Sequence, residues 1–366
     1  MINLKKTIIV LCTSLSCNIL YAQHTIKDVD ALQSVPNVYN AKKINHKIET
    51  DGHLETTWDK AAWSSEFIDI EGYQKPIPKY NTKFKMLWDN EYLYIYAQLE
   101  EPHVWGTIHQ KDAIIYHDND FEVFIKPNTN SAIYYEIEIN ALNTIMDLMI
   151  PKPYRFGGQA IMHWDTKNIK SAIYTSGTIN NPKDVDNYWA VEMAIPFSSL
   201  ANFGNKNTPK INDYWRMNFS RVQWQHEISQ DKYTRKKHNN KILDEDNWVW
   251  SPIGLINMHY PERWGYIQFV TDEESNTLPQ SYYIEKMAWN IFYLQQIHKN
   301  KYQRYTSDIS QLEGYDKFLK DDLRKYEFQI TLSLDRKFYH LNLKDKSEKQ
   351  VFTIDSYGNY TNQDEQ

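Results

Sequence analysis

Cysteine is nearly absent: Cys12 and Cys17 are the chain's two, and both fall within the first 22 residues. The sequence beyond them can form no disulfide, thiolate metal site or cysteine nucleophile. There is no G-x-S-x-G, no H-E-x-x-H and no Gly-rich phosphate loop, so these signatures of serine hydrolases, zinc proteases and nucleotide-binding proteins are missing. Excess positive charge is missing as well. The formal charge is −6, and it falls to −8 when Lys5 and Lys6 are removed with the N-terminal segment. Such a surface does not suit a polyanion, and no nucleic-acid partner is expected. The apolar run from Thr7 to Ile19 is too short to span a bilayer, so no transmembrane segment is expected. Preceded by Lys5 and Lys6 and followed by Leu20-Tyr21-Ala22, it predicts a secretory signal over residues 1–22, cleaved before Gln23. Lipidation of Cys17 is the alternative, although Ser14-Leu15-Ser16 makes a poor lipoprotein box. The expected location is therefore exported: periplasmic, cell-surface or extracellular. A chain of this size can rely on its core instead of cross-links.

What the chain does have is aromatic residues: 14%, with 12 Trp and 27 Tyr. Part of that fills a core. The rest suits sugar recognition, because the C–H face of a pyranose packs on an aromatic ring and its rim hydroxyls need planar polar partners such as Asp, Asn, Glu and Arg. A well-packed sandwich with Tyr-rich strands would absorb much of the same excess.

The stretch from Asp112 to Lys126 organises the rest. Tyr116-His117-Asp118-Asn119-Asp120 is polar and turn-prone, and Phe121-Glu122-Val123-Phe124-Ile125 reads as a strand covered on both faces. Acidic side chains, an Asn, a His and a Tyr thus stand at the mouth of a buried strand. That arrangement suits binding a polar ligand or a hard cation; a solvated Asx-turn loop is the plainer reading.

Earlier in the chain, Asp51-Gly52 marks a turn, and Glu55 to Trp63 has a short helical look. Thr82–Trp88 and Tyr92–Leu99 flank the turn Asp89-Asn90-Glu91 and predict a β-hairpin. Further strands are expected at Tyr134–Asn140, Asn143–Met149, Asn187–Ile195, Tyr214–Trp224 and Trp264–Val270. Many short strands with little helix read as an all-β, antiparallel β-sandwich over residues 45–271. Asp272 to Asn276 is a polar linker, which suggests that the chain from His24 to Thr271 folds without the remainder. Tyr282 to His298 has helical spacing. Segments at Tyr326–Leu334, Phe338–Leu343 and Gln350–Ile354 alternate, and the tail from Tyr357 reads as frayed. A small α+β unit over residues 280–356 is expected, with no assigned role.

Asp51-Gly52-x-Leu54-Glu55 with Trp58, LWDNEYLYIYAQLEEP, HDNDFEVFI, YYEIEIN, NYWAVEMAIPFSSL and ERWGYIQF follow one another in an order that resembles the family 9 carbohydrate-binding module, from about Asn45 to Val270. The resemblance implies a β-sandwich that binds glucan or xylan ends between two aromatic rings, accompanied by structural calcium. Carried onto this sequence, it makes Tyr116 the first ring and Glu122 the carboxylate that bonds hydroxyls. A family arginine falls on Glu138, aligned through Asn140, which reverses the charge. A family glutamine falls on Arg221, or on Ser220 if the register slips by one. The second ring is expected in the loop Ser251 to Arg263, where Met258 and His259 are nearest and Trp250 and Tyr260 lie close by. The candidate carbohydrate-binding residues are Tyr116, Asp120, Glu122, Glu138, Asn140, Arg221, Trp250 and His259. Asp118, Asn119, Asp120 and Glu101 are candidate oxygen ligands for calcium. A non-catalytic binding protein supporting carbohydrate catabolism is expected; a hydrolase acting on O-glycosyl bonds, which needs a carboxylate pair, and a scaffold that binds a protein through the C-terminal unit are the alternatives.

Overall fold

The computed structural model describes residues 24–127, 130–202, 206–272, 276–347 and 349–364. The candidate signal segment, with Cys12 and Cys17, lies outside the described residues. The first described element is a short helix, α1 (Ile26–Ala31), whose N-cap Thr25 forms a capping box with Asp28.

The main body begins, in chain order, with β1 (Val38–Lys43), β2 (Ile68–Asp69), β3 (Thr82–Trp88), β4 (Tyr92–Glu100), β5 (Asp120–Lys126), β6 (Tyr134–Asn140), β7 (Ile145–Ile150), β8 (Lys170–Ser176), β9 (Tyr188–Pro196) and β10 (Tyr214–Gln223). Two small hairpins follow, β11 (His226–Ser229) with β12 (Lys232–Arg235) and β13 (Lys237–His238) with β14 (Lys241–Ile242). Then come β15 (Asp246–Val249) and β16 (Gly265–Val270). The strand order is β7-β6-β5-β10-β16-β1-β3-β4-β9-β8, with β15 branching from β10 to β2. This is one sheet folded over on itself. β7-β6-β5-β10-β16 form the first leaf, β3-β4-β9-β8 the second, and β1 joins them.

The all-β sandwich expected from the sequence is present. One departure is β1, which runs parallel to both β16 and β3; its VYNAKK sequence carried no strand signal strong enough to stand out. Phe121, Val123 and Ile125 of β5, Met217 and Phe219 of β10, Phe84 and Met86 of β3, and Val191 and Met193 of β9 fill the space between the leaves. Because side chains alternate along a strand, the intervening residues of β5, Asp120, Glu122 and Phe124, belong to the outer face of the first leaf.

Two turns show how the sequence fixes the frame. In the β3–β4 hairpin, Asp89 Oδ1 accepts from the Glu91 and Tyr92 amides, each at 2.7 Å, while Oδ2 accepts from the Tyr94 hydroxyl at 2.8 Å. At Asp51-Gly52, the glycine has φ +88°, and a Cβ there would stand 3.0 Å from the backbone of Ile173 and Tyr174. The Glu192 carboxylate on β9 accepts from the Asp51 and Gly52 amides and from Trp58 Nε1. The expected helical stretch here is a short 3-10 turn, Thr56–Lys60, with Trp58 buried.

Beyond the sandwich lie α2 (Ser281–Tyr302), the short helix α3 (Tyr315–Phe318) and a four-stranded antiparallel sheet, β17 (Tyr326–Leu332), β18 (Tyr339–Asp345), β19 (Gln350–Asp355) and β20 (Tyr360–Asp364). This is the small α+β unit. Its last strand replaces the expected frayed tail: Tyr360 stacks on Phe352 at 5.5 Å, and its hydroxyl donates to the Ser131 carbonyl.

The unit and the sandwich share a core. Ile284, Met287, Ile291, Phe292 and Leu294 of α2 pack in one apolar cluster with Phe124, Tyr134, Leu148 and Trp264 from the first leaf and Val29 from α1. One buried ion pair crosses the same contact, and a second lies beside it. Arg216 Nη2 donates to Glu285 Oε2 at 2.7 Å, and Arg155 bonds both oxygens of Glu262, which also accepts from the Tyr293 hydroxyl. Among the described residues, no helix is long and apolar enough to cross a membrane.

Candidate functional site

Part of the outer face of the first leaf is covered by α2. Another part opens into a cavity of about 470 Å³. Its polar lining comes from neighbouring strands in register: Glu122 of β5 stands opposite Glu138 of β6 and opposite Ser220 of β10, and Glu136 lies one outward position along β6. Phe124, with Met146 and Leu148 from β7, supplies apolar surface. The walls come from loops. Ile114 and Tyr116 belong to the segment before β5, Tyr154 and Met162 to the loop after β7, and Ile256, Asn257, Met258 and His259 to the loop before β16. Glu245 and Asn247 close the remaining side.

Tyr116 and Tyr154 are held by their backbones and keep their rings accessible. The Tyr116 amide donates to Glu138 Oε2 at 3.1 Å, and its carbonyl accepts from Trp224 Nε1 at 2.7 Å. Tyr154 begins a 3-10 turn, Tyr154–Phe156, that ends at Gly157, whose φ is +82°. The Tyr154 ring lies 4.5 Å from that of His259. The two tyrosines are 39% and 38% exposed, in a molecule that buries most of its aromatics.

The electrostatics are one-sided. Asp120, Glu122, Glu136 and Glu138 are all buried, and among the described residues no lysine or arginine lines the cavity. Burial pushes the Glu122 carboxyl up to about 7, with the Ser220 hydroxyl acting the other way. Glu136 is pushed up to about 8, first by burial and then by the charge of Glu122. Asp120 and Glu138 also rise, by burial and then by repulsion from Glu122. One oxygen from each of Asp120, Glu122 and Glu138 lies within 4.8 Å of the others. His259, 2.9 Å from the Tyr134 hydroxyl, is held down to about 4 by burial and by the charge of Arg155.

Of the residues expected at the site, Tyr116, Glu122, Glu138 and His259 line one cavity, and Asp120 adjoins them. Three lie elsewhere. Asn140 holds the β6–β7 turn, donating to the Ile108 carbonyl and Asp118 and accepting from the Leu142 and Thr144 amides. Arg221 is fully buried on the other face of β10, bonded to Glu101, Thr82 and Gln223. It therefore forms no pair with Glu138. A slip of one residue exchanges the faces of a strand, and Ser220 occupies the outward position. Trp250 is buried between the leaves, edge-on to Phe84 at 5.3 Å.

From the loop Ser251 to Arg263, where the second ring was expected, the ring that lines the cavity is that of His259. Tyr260 from that loop is buried, with the Arg155 guanidinium 3.9 Å from its ring centre. Tyr154, which the sequence reading missed, lines the cavity. Its signal was an aromatic residue in a Pro- and Gly-bounded loop, Pro151-Lys152-Pro153-Tyr154-Arg155-Phe156-Gly157, whose other ring, Phe156, packs on Trp289 of α2.

Most of the candidate calcium ligands are committed to the protein. Asp118 accepts from the Thr107 amide and hydroxyl, the Ile108 amide and Asn140. Asn119 bonds the Trp224 amide and Glu101, and Glu101 also accepts from Arg221, Gln223 and the His103 amide. These groups form a hydrogen-bonded polar core and do not fit a cation. Asp120 stands apart from them, in the carboxylate cluster of the cavity.

Residues 50–241, more than half of the chain, match the family model described as carbohydrate family 9 binding domain-like. The chain belongs to this family. Among solved structures it is similar to a Bacteroides uniformis protein described as a candidate carbohydrate-binding protein (15% identity, TM-score 0.48, 64% of this chain and 100% of that one). It is also similar to a family 9 module of Caldicellulosiruptor kristjanssonii in complex with glucose (16% identity, TM-score 0.39, 66% of this chain and 100% of that one). The cellotriose complex of that module gives the same identity and score over 66% of this chain and 98% of that one. The comparison with curated proteins gave no match. The matched segment of the family 9 domain ends before β15 and β16, although both strands belong to its sheet.

Proposed function

We propose that the cavity of the family 9 domain is a carbohydrate-binding site and that the protein is exported to capture polysaccharide or oligosaccharide, such as glucan or xylan ends, in support of carbohydrate breakdown. The observation that carries this reading is the pair of accessible rings, Tyr116 and Tyr154, lining one cavity with the buried carboxylates of Glu122, Glu136 and Glu138. A pyranose fits that chemistry. Its C–H faces pack on the tyrosines, and its hydroxyls donate to the carboxylates. Among the described residues no lysine or arginine lines the cavity to pair with a uronate, so neutral sugars are its ligands.

A glycan array with neutral glucans, xylans and mannans, and with pectin as the acidic comparison, tests this. Binding to a neutral glycan that Tyr116→Ala and Tyr154→Ala both weaken supports the reading. Failure to bind any glycan overturns it. The close carboxylates also admit hydrolysis, because a retaining glycosidase places its pair roughly 5 Å apart. Reducing-sugar release from the bound glycan would establish that alternative.

A further inference from the structure

The mouth of the cavity carries aliphatic groups that a fully hydroxylated sugar does not explain. Ile114, Met162 and Ile256 line the cavity from three separate loops, and they are 40%, 36% and 69% exposed. Backbone hydrogen bonds pin each loop. The Ile114 carbonyl accepts from the His117 amide at 3.3 Å, the Ile161 amide donates to the Met149 carbonyl at 2.8 Å, and the Gly254 amide donates to the Ile70 carbonyl at 2.9 Å. The exposure of these side chains is therefore built into the frame. Branched and thioether side chains are not flat, so unlike the rings of Tyr116 and Tyr154 they offer a pyranose face nothing to stack on. A sugar hydroxyl pressed against them gives up water and gains no partner, which is unfavourable. A methyl group in the same place is favoured, because its contact with water is what is lost. Exposed apolar side chains gathered around a cavity mark a ligand's apolar part. The floor differs, with Glu122, Glu136 and Glu138 facing the ligand's hydroxyls.

We propose that the cavity selects neutral sugars that carry a methyl-ended substituent, an O-acetyl ester or the C6 methyl of a deoxy sugar, and that Ile114, Met162 and Ile256 receive that methyl group. The proposal rests on the carbohydrate reading above and names the class of sugar. Both kinds of ligand combine hydroxyls for the floor with a methyl for the mouth. An ester carbonyl also needs a donor, and the lining supplies several. The hydroxyls of Tyr116 and Tyr154 can donate, and Asn257 Oδ1 accepts from the His259 amide at 2.8 Å, so its amide nitrogen is the end that donates to a ligand. A sugar bearing hydroxyls alone would satisfy the floor and leave the three aliphatic groups in contact with water or with a hydroxyl.

The test titrates the full chain with matched ligand pairs that differ only in methyl content. Acetylated xylan and acetylated glucomannan are each compared with the same polymer deacetylated by mild alkali, and L-fucose is compared with L-galactose, which differs by one hydroxyl. The expected result is that the methyl-bearing member of at least one pair binds about fourfold or more tightly, the worth of one methyl group moved from water to an apolar surface. A preference among the polymers identifies an ester as the ligand's substituent, and a preference for fucose identifies a deoxy sugar. The double variant Met162→Ser with Ile256→Ser, shown folded by circular dichroism, should abolish the preference, and so should Ile114→Ser made separately. Met162→Leu with Ile256→Leu keeps the mouth apolar and should retain it. A preference that survives all the serine variants overturns the assignment to these side chains. If the plain member of every pair binds as tightly as its partner, or neither member binds, the proposal is overturned; the carbohydrate reading then stands if the glycan array finds a ligand and falls if it finds none.

Discussion

His259 contributes apolar and polar surface to the cavity, and its environment keeps it neutral. Its proton affinity is lowered by burial and by the charge of Arg155, to about 4. In the unfolded chain a histidine titrates near 6.5. Between these values the unfolded chain binds the proton and the folded one resists it, so acid favours unfolding. The histidine's contribution is complete above pH 6.5 and is lost as the pH falls toward 4. From pH 7 to pH 5 the parent should lose on the order of 2 kcal/mol more stability than His259→Gln, as read by urea unfolding of both proteins at each pH. A parallel loss in the two would show that His259 does not titrate as described. At this scale the sequence was informative where a residue's role follows from its place on a strand. Glu122 and Glu138 were brought together by the family resemblance, and the strand register sets them opposite one another on β5 and β6. Arg221 and Ser220 are neighbours with opposite fates, and a one-residue register decides between them; nothing local to YWRMNFSRVQW fixes that register. Tyr154 went unseen because its ring is placed by a loop, and loop geometry has no periodic signal.

Among the elements, α2 has the strongest structural role outside the sheet. Its helical spacing was legible, but its surroundings were not. It is buried on most of its surface because the first leaf covers one side and the C-terminal sheet another. Glu285 sits within that contact, bonded to Arg216 and to Asn362. Glu285→Ala should destabilise the protein by roughly 3–5 kcal/mol, because it leaves Arg216 buried without its counter-charge. A decrease under about 1 kcal/mol in denaturant unfolding would mean that water reaches the arginine. The strands were easier to read than the helix contact: β3, β4, β5, β6, β9, β10 and β16 fall within a few residues of the alternating or β-branched runs that predict them. β1 and β20 are polar; β1 is held by the distant strands β16 and β3, and β20 by its neighbour β19.

For the molecule as a whole, the polar linker at Asp272 to Asn276 suggests a sandwich that folds alone, while the shared core argues against it. Each large side chain of α2 buried on the leaf is worth about 1.5–3 kcal/mol, and removing the helix would expose Phe124, Tyr134 and Trp264. A fragment from His24 to Thr271 is therefore expected to be insoluble or to unfold without cooperativity. A soluble fragment with a sharp thermal transition would restore the boundary at the linker. Export makes a separate prediction: secreted material should begin at Gln23, and N-terminal sequencing that finds Met1 or a lipidated Cys17 would contradict it.

The central claim is that Tyr116, Tyr154 and Glu122 form one sugar-binding site, and calorimetric titration of folded variants with the glycan found on the array tests it most directly. Tyr116→Ala and Tyr154→Ala should each cost about 1 kcal/mol or more through loss of a ring face, and Glu122→Gln about 1.5–3 kcal/mol through loss of a charge-assisted acceptor. The account is contradicted if all three variants fold and bind that glycan as tightly as the parent.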